Sequence, residues 1–113
     1  FRAIRVRRGS GVRLLTNGEL ALRTFTDHRG TTVGLTDEVI VHVLRAHPEI
    51  RSYVDRIGDV LANPTDVLPD PTRPNGLRYY GYIEERGKYI RVAVKFLPGE
   101  ALVSTAFLTD KVE

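Results

Sequence analysis

The last third of the chain leaves the least freedom. Leu77 to Glu84 and Lys88 to Leu97 are alternating runs separated only by Glu85-Arg86-Gly87, and Pro98-Gly99 turns the second run into a third, Ala101 to Leu108. Strands joined by turns this short must be antiparallel, because a parallel pair needs a crossover of a dozen or more residues. The pattern therefore predicts a three-strand meander. Side chains of a strand alternate between its faces, so Ile90, Val92, Val94 and Phe96 share one side of the middle strand, and Tyr89, Arg91, Ala93 and Lys95 the other. The first strand divides likewise, with Leu77, Tyr79 and Ile83 against Arg78, Tyr80, Tyr82 and Glu84. One face needs an apolar cover. The other gathers cations and tyrosines, a combination suited to phosphates and to the bases attached to them. Arg91 and Tyr82 are RNA-contact candidates on this ground, and a solvated outer face is the plain alternative.

The third strand is ambiguous. With a two-residue loop at Pro98-Gly99, Val94 pairs with Val103 and Val92 with Thr105, which sends Thr105 to the core and Ser104 to the cationic face. A slip of one residue exchanges the faces. One hydroxyl joins the cations in either case.

The cover comes from the middle of the chain. Thr36 is a good N-cap, with Asp37 and Glu38 in the first turn where the helix dipole favours negative charge. Val39, Ile40, Val43 and Leu44 follow at helical spacing. His42 falls near the border of that stripe, and His47 would return to it if the helix ran so far. Pro48 disfavours helical backbone in the residue before it, so the first helix should end at Ala46 or His47. Pro48 suits the first position of a second helix, where Ile50, Tyr53, Val54, Ile57, Val60 and Leu61 form an apolar face, and Asn63-Pro64 ends it. The prolines of the segment from Pro64 to Gly76 mark an extended connection, with a short strand at Val67-Leu68; connections of this length are often functional.

Upstream, Ala3 to Arg8 alternate apolar and basic residues as an edge strand does. Asn17-Gly18 between Val12 to Thr16 and Glu19 to Thr26 is a strong hairpin signal, since both positions tolerate the positive φ of a type I′ turn. His28, in the turn Asp27-His28-Arg29-Gly30, reads as an exposed histidine. Arg2, Arg5, Arg7, Arg8 and Arg13 all precede the first acidic residue, Glu19. Such a basic stretch is a solubilising arm or a nucleic-acid contact; in the second case Arg5 and Arg7 join the RNA-binding candidates.

The expected fold is α+β, one domain: a basic β-hairpin extension over residues 1–34, then two consecutive helices on a twisted antiparallel sheet over residues 35–113. The totals agree with this. The chain has 113 residues, 42% hydrophobic and 27% charged, a globular composition sufficient for one core. No apolar run approaches ~18 residues, so no membrane-spanning helix is expected. The net charge of +3 is compatible with a polyanionic partner. There is no cysteine, and the His42/His47 spacing is not the i, i+4 pair that presents two ligands on one helical face, so neither a metal site nor another cofactor is expected. A chain that opens on Phe1 and contains no methionine suggests a domain of a larger polypeptide or a processed product.

The order of several short motifs adds a resemblance. His-Val-Leu-Arg-Ala-His-Pro-Glu (42–49), Ala-Asn-Pro (62–64), Arg-Tyr-Tyr (78–80), Ile-Arg-Val-Ala-Val-Lys (90–95) and Val-Ser-Thr-Ala-Phe (103–107) together resemble the barnase/EndoU/colicin/RelE-like nucleases. The likeness is to the branch found as C-terminal domains of phage head proteins and polymorphic toxins, and covers about residues 35 to 110. It implies a metal-independent endoribonuclease acting in a cytoplasm on tRNA or another structured RNA, with an immunity or antitoxin protein as a further partner. In such an enzyme the 2′-hydroxyl attacks the adjacent phosphodiester, a base takes its proton, an acid protonates the departing 5′-oxygen, and cations stabilise the phosphorane. By family position His42 and His47 transfer protons, Arg78 and Lys95 hold phosphate, and Tyr80 or Thr105 orients the substrate. Histidine suits the first role because its pKa lies near neutrality. One tension follows: histidines on helices that cover the apolar face lie far from cations on the other, unless the first helix sits at the sheet edge, so that His42 reaches the cleft, or one histidine is structural, the role that suits His47 as a helix-end cap or core contact. The rival expectation is a catalytically inactive RNA- or protein-binding module on the same scaffold.

Overall fold

The structure, a computed structural model, describes residues 11–14 and 21–113, with side chains from 23 onward. The strand expected at Ala3 to Arg8, the Asn17-Gly18 turn, and Arg5 and Arg7 lie outside the described residues. Strands β1 (Gly11–Leu14) and β2 (Ala21–Thr26) pair antiparallel from Gly11↔Thr24 to Leu14↔Ala21, as the two arms of a hairpin do, and β2 pairs antiparallel with β3 (Thr32–Thr36).

Thr36 then caps helix α1 (Asp37–Ala46), its hydroxyl accepting the Val39 N–H at 3.2 Å. The helix ends where Pro48 requires. The His47 N–H donates to the Val43 carbonyl at 2.7 Å, and the His47 carbonyl accepts from the Ile50 N–H at 3.0 Å, so one residue closes α1 and opens the next element. That element differs from the expected α-helix: Pro48–Arg56 is a 3-10 helix, and α-helical geometry resumes only over α2 (Ile57–Ala62). A 3-10 helix eclipses side chains three apart, and its two buried residues, Ile50 and Tyr53, have that spacing.

The Pro-rich connection contains β4 (Asp66–Pro69), which pairs antiparallel with β5 (Gly76–Ile83). The meander follows as expected, β5 with β6 (Lys88–Leu97) and β6 with β7 (Glu100–Thr109). The fold is α+β. Among the described residues the sheet has seven strands in the order β1-β2-β3-β7-β6-β5-β4. Every pairing is antiparallel except β3 with β7, which run parallel and meet at Gly34↔Leu102. The chain leaves β3, crosses the apolar face as helices, reaches the far edge at β4 and walks back to β3, so β7 lies at the centre. That crossover makes the sheet mixed where the short turns alone predict an antiparallel one.

The helices cover one face. Val43, Ile50, Ile57, Val60 and Leu61 pack on Val33, Leu35, Ile90, Val92, Val94 and Val103, all at most 5 % exposed. Each such burial is worth about 1.5–3 kcal/mol, and together they fix which face points inward. Helix α2 approaches closely enough to demand glycine on both sides of the contact. A Cβ on Gly81 would stand 2.6 Å from Val60 Cγ2, and one on Gly58 2.6 Å from Phe25 Cδ1.

A buried polar knot closes the β2–β3 end. Asp27, 4 % exposed, accepts the Arg29 and Thr31 N–H groups at 2.9 Å each and the Tyr79 hydroxyl at 2.7 Å. Burial pushes its carboxyl up, but the bonds from Tyr79, Thr31 and Arg29 outweigh it and leave the pKa below the ordinary value. Burial and the bond to Asp27 push the Tyr79 phenol up. His28 is exposed, as expected, with its ring edge-on to Tyr79 at 5.9 Å.

Candidate functional site

The uncovered face of the meander is built in cross-strand rows. Tyr82 stands opposite Tyr89, and Tyr89 opposite Thr109; one pleat further, Tyr80, Arg91 and Phe107 are in line; the next row is Arg78, Ala93 and Thr105. Directly opposite side chains are close enough to interact, and the middle row does. The Arg91 guanidinium carbon lies 5.6 Å from the Tyr80 ring centre and 4.8 Å from that of Phe107, distances at which a cation is attracted to a ring face.

A fourth member extends this row from outside the sheet. The ring of His47 lies 4.9 Å from that of Phe107, tilted by 38°. Because β3 pairs with β7 only near Leu102, the rest of β7 has an edge against which the junction of α1 and the 3-10 helix rests. The junction therefore reaches round to the cationic face and brings His47 there, whereas the edge placement expected from the sequence was to bring His42 to the cleft. His47 is 35% exposed at its side chain, with Nδ1 3.8 Å from Glu49 Oε2. His42 is exposed on the flank of α1 among Asp37, Glu38, Val41 and Arg45, and does not share this face.

The register of β7 departs from both simple alternatives. Val94 pairs with Val103, but Ala93 pairs with Thr105 and Val92 with Ala106, so Ser104 is the extra residue of a β-bulge. A bulge re-aims the strand that carries it. Here it brings Thr105 and Phe107 to the cationic face and Ala106 and Leu108 to the core. The expectation that one hydroxyl joins the cations is corrected: Ser104 and Thr105 both line the same depression, Ser104 donating to the Ala93 carbonyl at 3.2 Å.

That depression, of about 150 Å³, lies over Ala93 between Arg78, Arg91 and Phe107. Its rim comes from the Pro-rich connection, which contributes Asp70, Thr72 and Arg73. The Thr72 hydroxyl and N–H donate to Asp70 Oδ1 at 2.7 and 2.9 Å, and Arg78 lies 3.6 Å from the same oxygen. The Thr72 bonds and the Arg78 charge hold the Asp70 carboxyl below its ordinary value. Three guanidinium groups thus meet one carboxylate and two strand hydroxyls.

The remaining candidates stand apart. Tyr80 is wholly buried, and its hydroxyl donates to the Glu113 carbonyl at 2.9 Å, so its ring steadies Arg91 instead of facing solvent. Lys95 sits one row beyond, opposite Gly76 and Leu102, outside the depression. Tyr82 is 52% exposed and packs edge-on to Tyr89 at 5.1 Å. Sequence reasoning passed over Asp70, Thr72, Arg73, Ala93 and Phe107. The signal for Phe107 was the apolar pair Ala106 and Leu108, which takes the core positions once a bulge is admitted. The described residues hold no group of three metal-ligating side chains. No family model, curated protein or solved structure matches the chain.

Proposed function

We propose that this domain is an endoribonuclease that binds RNA on the uncovered meander face and cleaves it through protein acid–base groups. The observation that carries the reading is the row Tyr80, Arg91, Phe107, His47, which sets one guanidinium between two aromatic rings and a partly exposed imidazole at its end. In the proposed reaction His47 takes the proton of a 2′-hydroxyl, the freed oxygen bonds to phosphorus, and the P–O5′ bond breaks. The departing 5′-oxygen takes a proton from a water molecule, and the proton held by His47 returns to solvent, leaving a 2′,3′-cyclic phosphate and a 5′-hydroxyl. Arg91 and Arg78 stabilise the charge that builds on the phosphorane, fixed donors being most effective where charge develops. Arg73 and Thr105 contact the same phosphate or its neighbour.

The test is incubation of the purified domain with tRNA and total RNA in EDTA. Cleavage should fall about 10²–10⁴-fold in His47→Ala, the usual contribution of a general acid–base group, and change little in His42→Ala. Intact RNA, or equal cleavage by His47→Ala, overturns the reading. A second reading, a binding module without turnover, is favoured by one observation: His47 is the only one of the three histidines on this face. It predicts salt-sensitive RNA binding with no product.

A further inference from the structure

The floor of the depression is a methyl group. Ala93 is 5 % exposed, with Arg78 opposite on one neighbouring strand and Thr105 on the other. Around that floor the side chains are long donors. Arg91 precedes Ala93 by one pleat, and Arg73 comes from the connection above. Any larger residue at position 93 would fill the space. The bulge acts in the same sense, since it places two successive hydroxyls, Ser104 and Thr105, beside the methyl where a regular strand would place one.

Two further observations concern the occupant. Arg91 Nε is buried and has no hydrogen-bond partner among the described residues, a donor left over on a side chain that lines the depression. Such groups ordinarily have an acceptor. Asp70 opposes a second negative charge, because Thr72 and Arg78 keep its carboxylate ionised at the rim. A volume of about 150 Å³ is enough for one tetrahedral oxyanion and its water.

We infer that the depression over Ala93 is a seat for a single phosphate group, with Ala93 as its size-determining residue and Arg73, Arg91 and Thr105 as its donors. The seat takes inorganic phosphate or one phosphate of an RNA strand, and Asp70 turns away pyrophosphate. This rests on the reading of the meander face as the RNA side, and names which part of that face holds the phosphate.

The experiment is titration of the full chain with inorganic phosphate at constant ionic strength, chloride making up the balance, followed by calorimetry. The expected result is saturable binding that a deoxy-substituted, uncleavable oligonucleotide displaces. Arg91→Gln should weaken it about 10–100-fold, the loss of one charge-assisted hydrogen bond. Ala93→Leu should abolish it, with Thr105→Val, which keeps the floor and removes a donor, as the variant that decides if Ala93→Leu fails to fold. Pyrophosphate should bind more weakly than phosphate, and Asp70→Asn should narrow the difference. A response no different from that of chloride, or wild-type affinity in both Arg91→Gln and Thr105→Val, overturns the seat. If phosphate binds while RNA is neither bound nor cut, the seat stands and the nuclease reading falls. If RNA is cut while the phosphate titration stays flat, the seat falls and the nuclease reading stands.

Discussion

Asp27 shows how much one side chain organises. Its carboxylate ties the β2–β3 turn to Tyr79, a residue of β5 in the other half of the sheet. Removing it leaves two N–H groups and a buried phenol without their partner, so Asp27→Ala should lower stability by about 2–3 kcal/mol in urea unfolding at neutral pH. The pH dependence follows from the direction of the shift. The folded pKa lies below the unfolded one, so the stabilisation is present above the unfolded value of about 3.9 and is lost as pH falls through the folded one. Asp27→Asn should therefore flatten the acid limb of a stability profile, measured as urea midpoints between neutral and strongly acid pH. Unchanged acid sensitivity would remove Asp27 from that role. At this scale the sequence was legible where a residue type has one strong local preference, as with the Thr36 cap and the Pro48 boundary. It was not legible at Ala93, whose importance lies in the side chain it lacks.

Elements were readable when one period sufficed. The meander came from alternation plus two tight turns, and α1 from a single apolar stripe. The 3-10 helix was hidden because a spacing of three puts Ile50 and Tyr53 on one side in either helix type. The bulge was hidden because Ser104-Thr105 offers two adjacent polar residues, and alternation alone cannot say that both face the same way. The parallel contact of β3 with β7 has no local signature at all, since it depends on where the crossover returns. The closeness of α2 to the sheet gives a direct test. Gly81→Ala drives a methyl into Val60 and should cost about 1–3 kcal/mol, the usual penalty of overpacking. Val60→Ala in the same chain should return part of that loss, so that the double mutant is more stable than the sum of the singles. Strict additivity in denaturant unfolding would show that the two residues do not meet.

For the whole molecule, charge placement matters more than the net +3. Arg73, Arg78, Arg91 and Lys95 are directed to one side of the sheet, whereas Arg56 and Lys88 are engaged by Glu85 and Asp110. If the proposed function holds, RNA binding should weaken with salt as counterions are released. A plot of log affinity against log salt should lose about 0.7 in slope for each single-strand phosphate contact removed, and Arg91→Ala removes one. Fluorescence anisotropy with a labelled oligonucleotide at several salt concentrations measures this, and an Arg91→Ala slope equal to wild type would move the binding face elsewhere.

The central position of β7 also sets the order of assembly. The two halves of the sheet meet on this strand, the hairpin side through β3 and the meander side through β6, yet it is the last strand of the described chain to be synthesised. Strands β1 to β3 emerge from the ribosome first and have no central partner until residue 109 has followed. Long-range pairing of this kind is slow to form and leaves an edge open meanwhile. The nascent chain therefore carries an unpaired β3 edge from the making of that strand until β7 has followed, and the short parallel stitch that completes the sheet is what closes this edge to pairing with the wrong chain.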